Sequence, residues 1–143
     1  DAQKITNDIS IEMLEPGSLV IFDDILELTD HRRRVLLNLL HAIATRGRHR
    51  KSTKGNGRRG IEYVVISHQG SDRALMTVRN SAQAWVLFPT ASRNQAVHML
   101  RARLHKTKKE VETLLERCGD SRFAYIRHHH PQCIISSNHI ELL

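Results

Sequence analysis

Two adjacent carboxylates, Asp23 and Asp24, end the apolar run Leu19–Phe22. Paired acids at the carboxyl end of a buried strand suit a Mg2+–nucleotide complex. Mg2+ keeps several waters and takes one or two protein carboxylates beside the phosphates. In that chemistry Asp23 holds the metal, directly or through water, and Asp24 polarises the attacking water as general base. A second apolar run, "IEYVVIS", ends in Ser67, His68 and Gln69. Gln69 would orient that water or sense the γ-phosphate. The pair has a plainer reading as well, a strand that ends in an acidic turn, and the residues alone leave both open.

The elements that must position these groups can be read from hydrophobic spacing. Residues 19–23 and 61–67 are continuous apolar runs, the pattern of parallel strands covered on both faces. Thr29 and Asp30 are N-cap types ahead of Val35, Leu36, Leu39, Leu40 and Ile43, which recur at helical spacing. Gly47 fits just past that helix. Ser71 and Asp72 open a short helix through Arg79, and "AWVLF" (84–88) reads as a third strand. Ser92 caps a helix carrying Ala96, Val97, Leu100 and Leu104. Thr107 and Glu110 form a capping box for a helix carrying Val111, Leu114, Leu115 and Cys118, closed by Gly119. "RFAYIR" and "CIIS" read as two short strands. The alternation of strands and helices predicts an α/β fold with a largely parallel sheet and flanking helices. Ligands of such sheets sit beyond the carboxyl ends of the strands.

Composition narrows the partners. The chain has 143 residues, enough for one domain or part of one, and 40% hydrophobic residues can build a core. A net charge of +7 points to a polyanionic partner, either nucleic acid or an anionic membrane. No apolar run approaches the ~20 residues of a membrane span. Cys118 and Cys133 show neither metal spacing nor a disulfide framework. The segment from Arg46 to Gly60 holds seven Lys or Arg residues and no acid. Arg50, Lys51, Lys54, Arg58 and Arg59 are its candidate phosphate contacts. Aromatic residues make up only 4% of the chain, which favours duplex backbone contact over base stacking on single strands. His128, His129 and His130 are consecutive, and neighbours on a strand face opposite ways, so they read as a polar turn. No G-x-S-x-G or H-E-x-x-H motif occurs.

The ordered set "LVIFDD", "ATRGRHRKST", "GIEYVVISHQ" and "TVRNSAQAWVLFP" resembles the FtsK/HerA group of P-loop DNA translocases, above all the genome-packaging ATPases of poxviruses, other large DNA viruses and virophages. The resemblance spans residues 18–90, with 91–143 matching the C-terminal helices and strands only loosely. It implies a partial P-loop NTPase core of the RecA/ASCE-like type over residues 1–143. It also implies ATP and Mg2+ as cofactors, double-stranded DNA as substrate, a homo-oligomeric ring, capsid or portal partners and a soluble, intracellular viral setting. By the same resemblance Arg48, in "GRH", matches an arginine finger acting in trans, with Arg79, in "VRN", as a second candidate. A cellular FtsK/HerA translocase and a non-catalytic basic nucleic-acid-binding module are the alternatives. One departure matters: no G-x-x-x-x-G-K-[ST] occurs, and "KSTKGNG" (51–57) follows no buried strand. Without that glycine loop the chain is not expected to hydrolyse ATP by itself. The family places the loop upstream of the acidic strand, so the chain reads as the C-terminal half of such a core, with a naturally degenerate homologue that never hydrolyses ATP as the alternative.

Overall fold

The computed structural model describes residues 9–49, 60–127 and 131–143. The basic-loop residues Arg50, Lys51, Lys54, Arg58 and Arg59, and the His128–His130 run, lie outside the described residues. The chain divides into two compact units, Asp1–Ser81 and Ala82–Leu143. The break falls ahead of the third strand.

In the first unit, strand β1 (Leu19–Asp23) pairs in parallel with β2 (Glu62–Ile66), Leu19 opposite Glu62 and Asp23 opposite Ile66. Parallel neighbours need a crossover, and helix α1 (Asp30–Arg46) lies within it. Thr29 is the N-cap, although its side chain makes no capping bond. Leu39, Leu40 and Ile43 of α1 are buried against Phe22, Ile25, Ile61, Leu75 and Val78. Leu40 and Ile43 are almost wholly enclosed, so truncating either to Ala would cost about 2–5 kcal/mol. Gly47 ends α1 in right-handed backbone. A Cβ there would sit 3.1 Å from both Ile43 Cγ2 and the Ile61 carbonyl oxygen, so close packing accounts for this glycine. After β2, a 3-10 turn (Arg73–Leu75) leads into α2 (Met76–Ser81), with the Asp72 carboxylate accepting from the Ala74 N–H at 2.7 Å.

The sheet of this unit departs from expectation in its covering. The runs at 19–23 and 61–67 read as strands buried on both faces, yet Leu19, Ile21, Val64 and Ile66 are exposed. Val20, Phe22, Tyr63 and Val65 pack against the core on the other face. Among the described residues, helices supply an apolar surface to one face only.

In the second unit, β3 (Ala84–Leu87) pairs antiparallel with β4 (Ala124–Arg127), β4 with β5 (Cys133–Ser136), and β5 with β6 (Ile140–Leu142). The largely parallel sheet is therefore corrected. The molecule is mixed α/β, with a two-stranded parallel sheet and a four-stranded antiparallel one. The reason lies in the packing of β3: Leu87 and Trp85 join the core formed by α3 (Arg93–Leu104) and α4 (Lys108–Arg117), whereas Phe22 and Ile61 belong to the α1 core. The two helices form a hairpin. His105 ends α3 with φ 54° and the capping box at Thr107 starts α4. In that box the Glu110 N–H donates to Thr107 Oγ1, and the Thr107 N–H donates to Glu110 Oε2 at 2.7 Å. Val111, Leu114, Leu115 and Cys118 form the buried stripe of α4, as their spacing predicts.

Candidate functional site

The parallel register brings the polar ends of β1 and β2 to one edge. Asp23, the last residue of β1, is exposed. Asp24 follows it in left-handed backbone, φ 44° and ψ 40°, a conformation disfavoured for most side chains but tolerated by Asp and Asn. Its N–H still donates to the Ile66 carbonyl at 3.1 Å, so the kink begins only after the parallel ladder has closed. The left-handed turn starts a 3-10 turn (Ile25–Glu27), in which the Glu27 N–H donates to the Asp24 carbonyl. Buried Ile25 and Leu26 fix that turn to the core.

Across the edge, His68 Nε2 lies 3.5 Å from Asp24 Oδ2, and Gln69 Nε2 donates to Glu27 Oε1 at 3.1 Å. The Gln69 N–H donates to Ser67 Oγ, and the Gln69 carbonyl accepts from the Asp72 N–H at 2.8 Å. Asp24 and Gln69 therefore do sit at the same sheet edge, with His68 and Glu27 between them. His68 and Glu27 carried no role on sequence reasoning. The signal for His68 was its place in "SHQ". Glu27 reaches Gln69 across 42 positions, a contact that no spacing rule reveals.

The arginines fall elsewhere. Arg79 Nη1 donates to the Gly70 carbonyl at 2.7 Å and to the Asp72 carbonyl at 2.6 Å. Arg79 thus clamps the loop that follows β2, and this contact gives it a structural role. His41 Nε2 meets the Ala74 carbonyl at 2.9 Å and fixes the next turn to α1. Arg48 lies in a 3-10 turn (Gly47–His49), exposed, with its Nε donating to His49 Nε2 at 3.0 Å. The Ile61 N–H donates to the Gly47 carbonyl, and a Cβ on Gly60 would fall 2.8 Å from Arg48 Cα. Arg48 is therefore at the amino end of β2. The five residues of β2, about 16 Å at ~3.3 Å each, separate it from Asp24 within this chain.

Among the described residues, no cluster of three His, Cys, Asp or Glu side chains forms a protein-only metal cage. Mg2+ does not require one when phosphates and water complete its octahedron. The exposed Asp23 carboxylate fits that requirement. Asp24 offers one carboxylate oxygen away from His68. No helix among the described residues is long and apolar enough to cross a membrane. Comparison with protein-family models, curated proteins and solved structures returned no match.

Proposed function

We propose that this chain carries the acidic and sensor strands of an ATP-driven double-stranded DNA translocase of the FtsK/HerA type, one that packages viral genomes. The observation that supports this reading best is the parallel pairing of β1 with β2, which gathers Asp24, His68 and Gln69 at one carboxyl edge. In the reaction, Mg2+ would neutralise phosphate charge beside Asp23. Asp24 would accept a proton from the attacking water. Gln69, steadied by Glu27, would orient that water. Arg48, at the far end of β2, would reach a nucleotide only from a neighbouring copy in a ring, which agrees with a role in trans.

The glycine loop that cradles phosphates would come from a segment outside this chain. The open face of the parallel sheet, with Leu19, Ile21, Val64 and Ile66 exposed, is compatible with further structure packing there. The test is ATP turnover by the parent protein bearing such a loop, compared with its Asp24→Asn form. A loss of about 100-fold or more is expected for a general base. Equal turnover removes that assignment. The second reading, a non-catalytic basic nucleic-acid-binding module, draws on the absence of the glycine motif from this chain. It is favoured if the parent protein has no loop and no Mg2+-dependent turnover.

A further inference from the structure

The sheet of the second unit has one covered face and one open face, and its register sorts residues between them. Leu87 opposite Ala124, and Trp85 opposite Ile126, face the core under α3 and α4. Neighbours along a strand face opposite ways. Val86 and Tyr125, paired across β3 and β4, therefore stand on the open face. The pairs Tyr125–Ile135 and Ile135–Ile140 carry that row over β5 and β6. Phe88 and Phe123 come next beyond the Leu87–Ala124 pair, at the end of the β3–β4 ladder. They are 57% and 38% exposed, and neither belongs to the helix-covered core.

The solvated face of an antiparallel sheet is commonly polar. This one is apolar and aromatic. Of the chain's three Phe and two Tyr residues, Phe88, Phe123 and Tyr125 stand here. The low aromatic content of the sequence argues against a stacking surface, but the fold gathers these rings on one side of one sheet. Phe123, Tyr125 and Arg127 alternate with core residues, so they follow one another on the open face at steps of ~7 Å. Arg127 is exposed, and no ion pair joins it to an acid among the described residues. Glu141, the acid of β6, belongs to the other face. It is opposite buried Ile134 and lies 2.7 Å from Arg117 of α4.

We infer that this open face is a stacking platform for the unpaired bases of a single-stranded nucleic acid. Phe88, Phe123 and Tyr125 lie under bases, and Arg127 meets the phosphate backbone. A four-stranded sheet with aromatic residues on its open side is a recurring way to hold splayed-out bases. Every base has a π-face, so such stacking tolerates any sequence. Charge selects the partner. The face has a cation and no acid, and the chain carries +7, so a polyanion is attracted while a second copy of the same face is repelled. Bases in a duplex are already stacked on one another and do not reach these rings. Neither a nucleotide nor the carboxyl edge of β1 and β2 takes part.

The experiment measures binding of this chain to a labelled, mixed-sequence single strand of about 12 nucleotides, made as DNA and as RNA. Fluorescence anisotropy is read from about 50 to 200 mM NaCl. Phe88→Leu/Phe123→Leu/Tyr125→Leu keeps apolar bulk and removes the rings. It is expected to bind single strands about tenfold more weakly or worse, with duplex affinity unchanged. Phe88→Tyr/Phe123→Tyr keeps the rings and should bind like the parent. Arg127→Gln should lower the slope of log K against log salt by ~0.7. Thermal unfolding checks the fold, and Phe88→Leu alone repeats the test if the triple variant unfolds. Binding of either strand that depends on the rings supports the platform, and the tighter strand names the source. Parent-like single-strand affinity in the ring-free variants overturns it, as does equal weakening by the Leu and Tyr substitutions. No single-strand binding by the parent chain also overturns it. Ring-dependent self-association in sedimentation velocity, or ring-dependent binding to phosphatidylserine vesicles, without single-strand binding, assigns the face to a second copy or a lipid surface and overturns it too.

Discussion

Asp24 offers a way to separate chemistry from folding. Its backbone is left-handed, φ 44°, a conformation that costs a generic L-residue about 1–2 kcal/mol and Asp or Asn less. Its carboxylate faces His68 at 3.5 Å, but His68 is 87% exposed and Asp24 37% exposed. A solvent-screened pair of that kind contributes ~0–1 kcal/mol. Asp24→Asn keeps the tolerance for the left-handed turn and loses only the screened pair. It should change stability by less than ~1 kcal/mol. Asp24→Val keeps neither, and β-branching resists this backbone. It should cost about 1–2 kcal/mol, which for a unit of this size lowers the melting temperature by ~4–8 °C per kcal/mol. Urea and thermal unfolding of the chain supply the stabilities, and turnover of a loop-bearing parent protein supplies the activity. The expected pattern is near-wild-type folding with abolished turnover for Asn, and reduced stability for Val. Destabilisation of Asp24→Asn by well over ~1 kcal/mol would make the carboxylate structural and refute the argument. A neutral Asp24→Val would refute the left-handed turn.

Three further outcomes follow from packing and protonation. Thr107→Ala should cost about 1 kcal/mol through loss of the N-cap. Hydrogen bonds from Thr107 hold the Glu110 carboxyl below the usual carboxylate range. The stability linked to that shift is complete above the unfolded-state pKa and lost as pH falls through the lower folded value. The cost of Thr107→Ala in urea unfolding should therefore shrink in acid, and a constant cost would contradict the linkage. Burial pushes the Cys118 thiol up, whereas Cys133 is half-buried. A disulfide reagent should therefore label Cys133 first and Cys118 only on unfolding, and the reverse order would contradict the packing of α4. Gly47→Ala should destabilise by about 1–3 kcal/mol despite the better helix former, because the Ile61 carbonyl cannot move aside. A gain in melting temperature would show that the junction of α1 and β2 is looser than described.

Local signals located most elements, and long-range pairing explains the differences. The capping box at Thr107 and the Asp72 cap act within four residues, so their motifs are visible in the chain. "LVIFD" and "EYVVI" are apolar at almost every position, so alternation could not show that only one face is covered. The direction of β3 depends on β4, whose pairing residues begin 37 positions after Leu87. Strand β6, "IEL", is three residues long and was not expected. At the candidate site, Asp24 and Gln69 were legible because each ends an apolar run. Glu27 was hidden because its partner is reached only through the fold.

The bare side of the two-stranded parallel sheet has a consequence for handling the protein. Leu19, Ile21, Val64 and Ile66 form an aliphatic square, with Asp23 beside it at one end and Glu62 at the other. Beyond it lie strand edges that, among the described residues, pair only with each other. Such a surface is sticky in the colloidal sense, able to recruit backbone and side chain from another molecule. Sulfate, which strengthens apolar burial, works against solubility here even as it screens the repulsion of a +7 chain. Dilute storage at moderate chloride, with no salting-out step in purification, is what this face calls for.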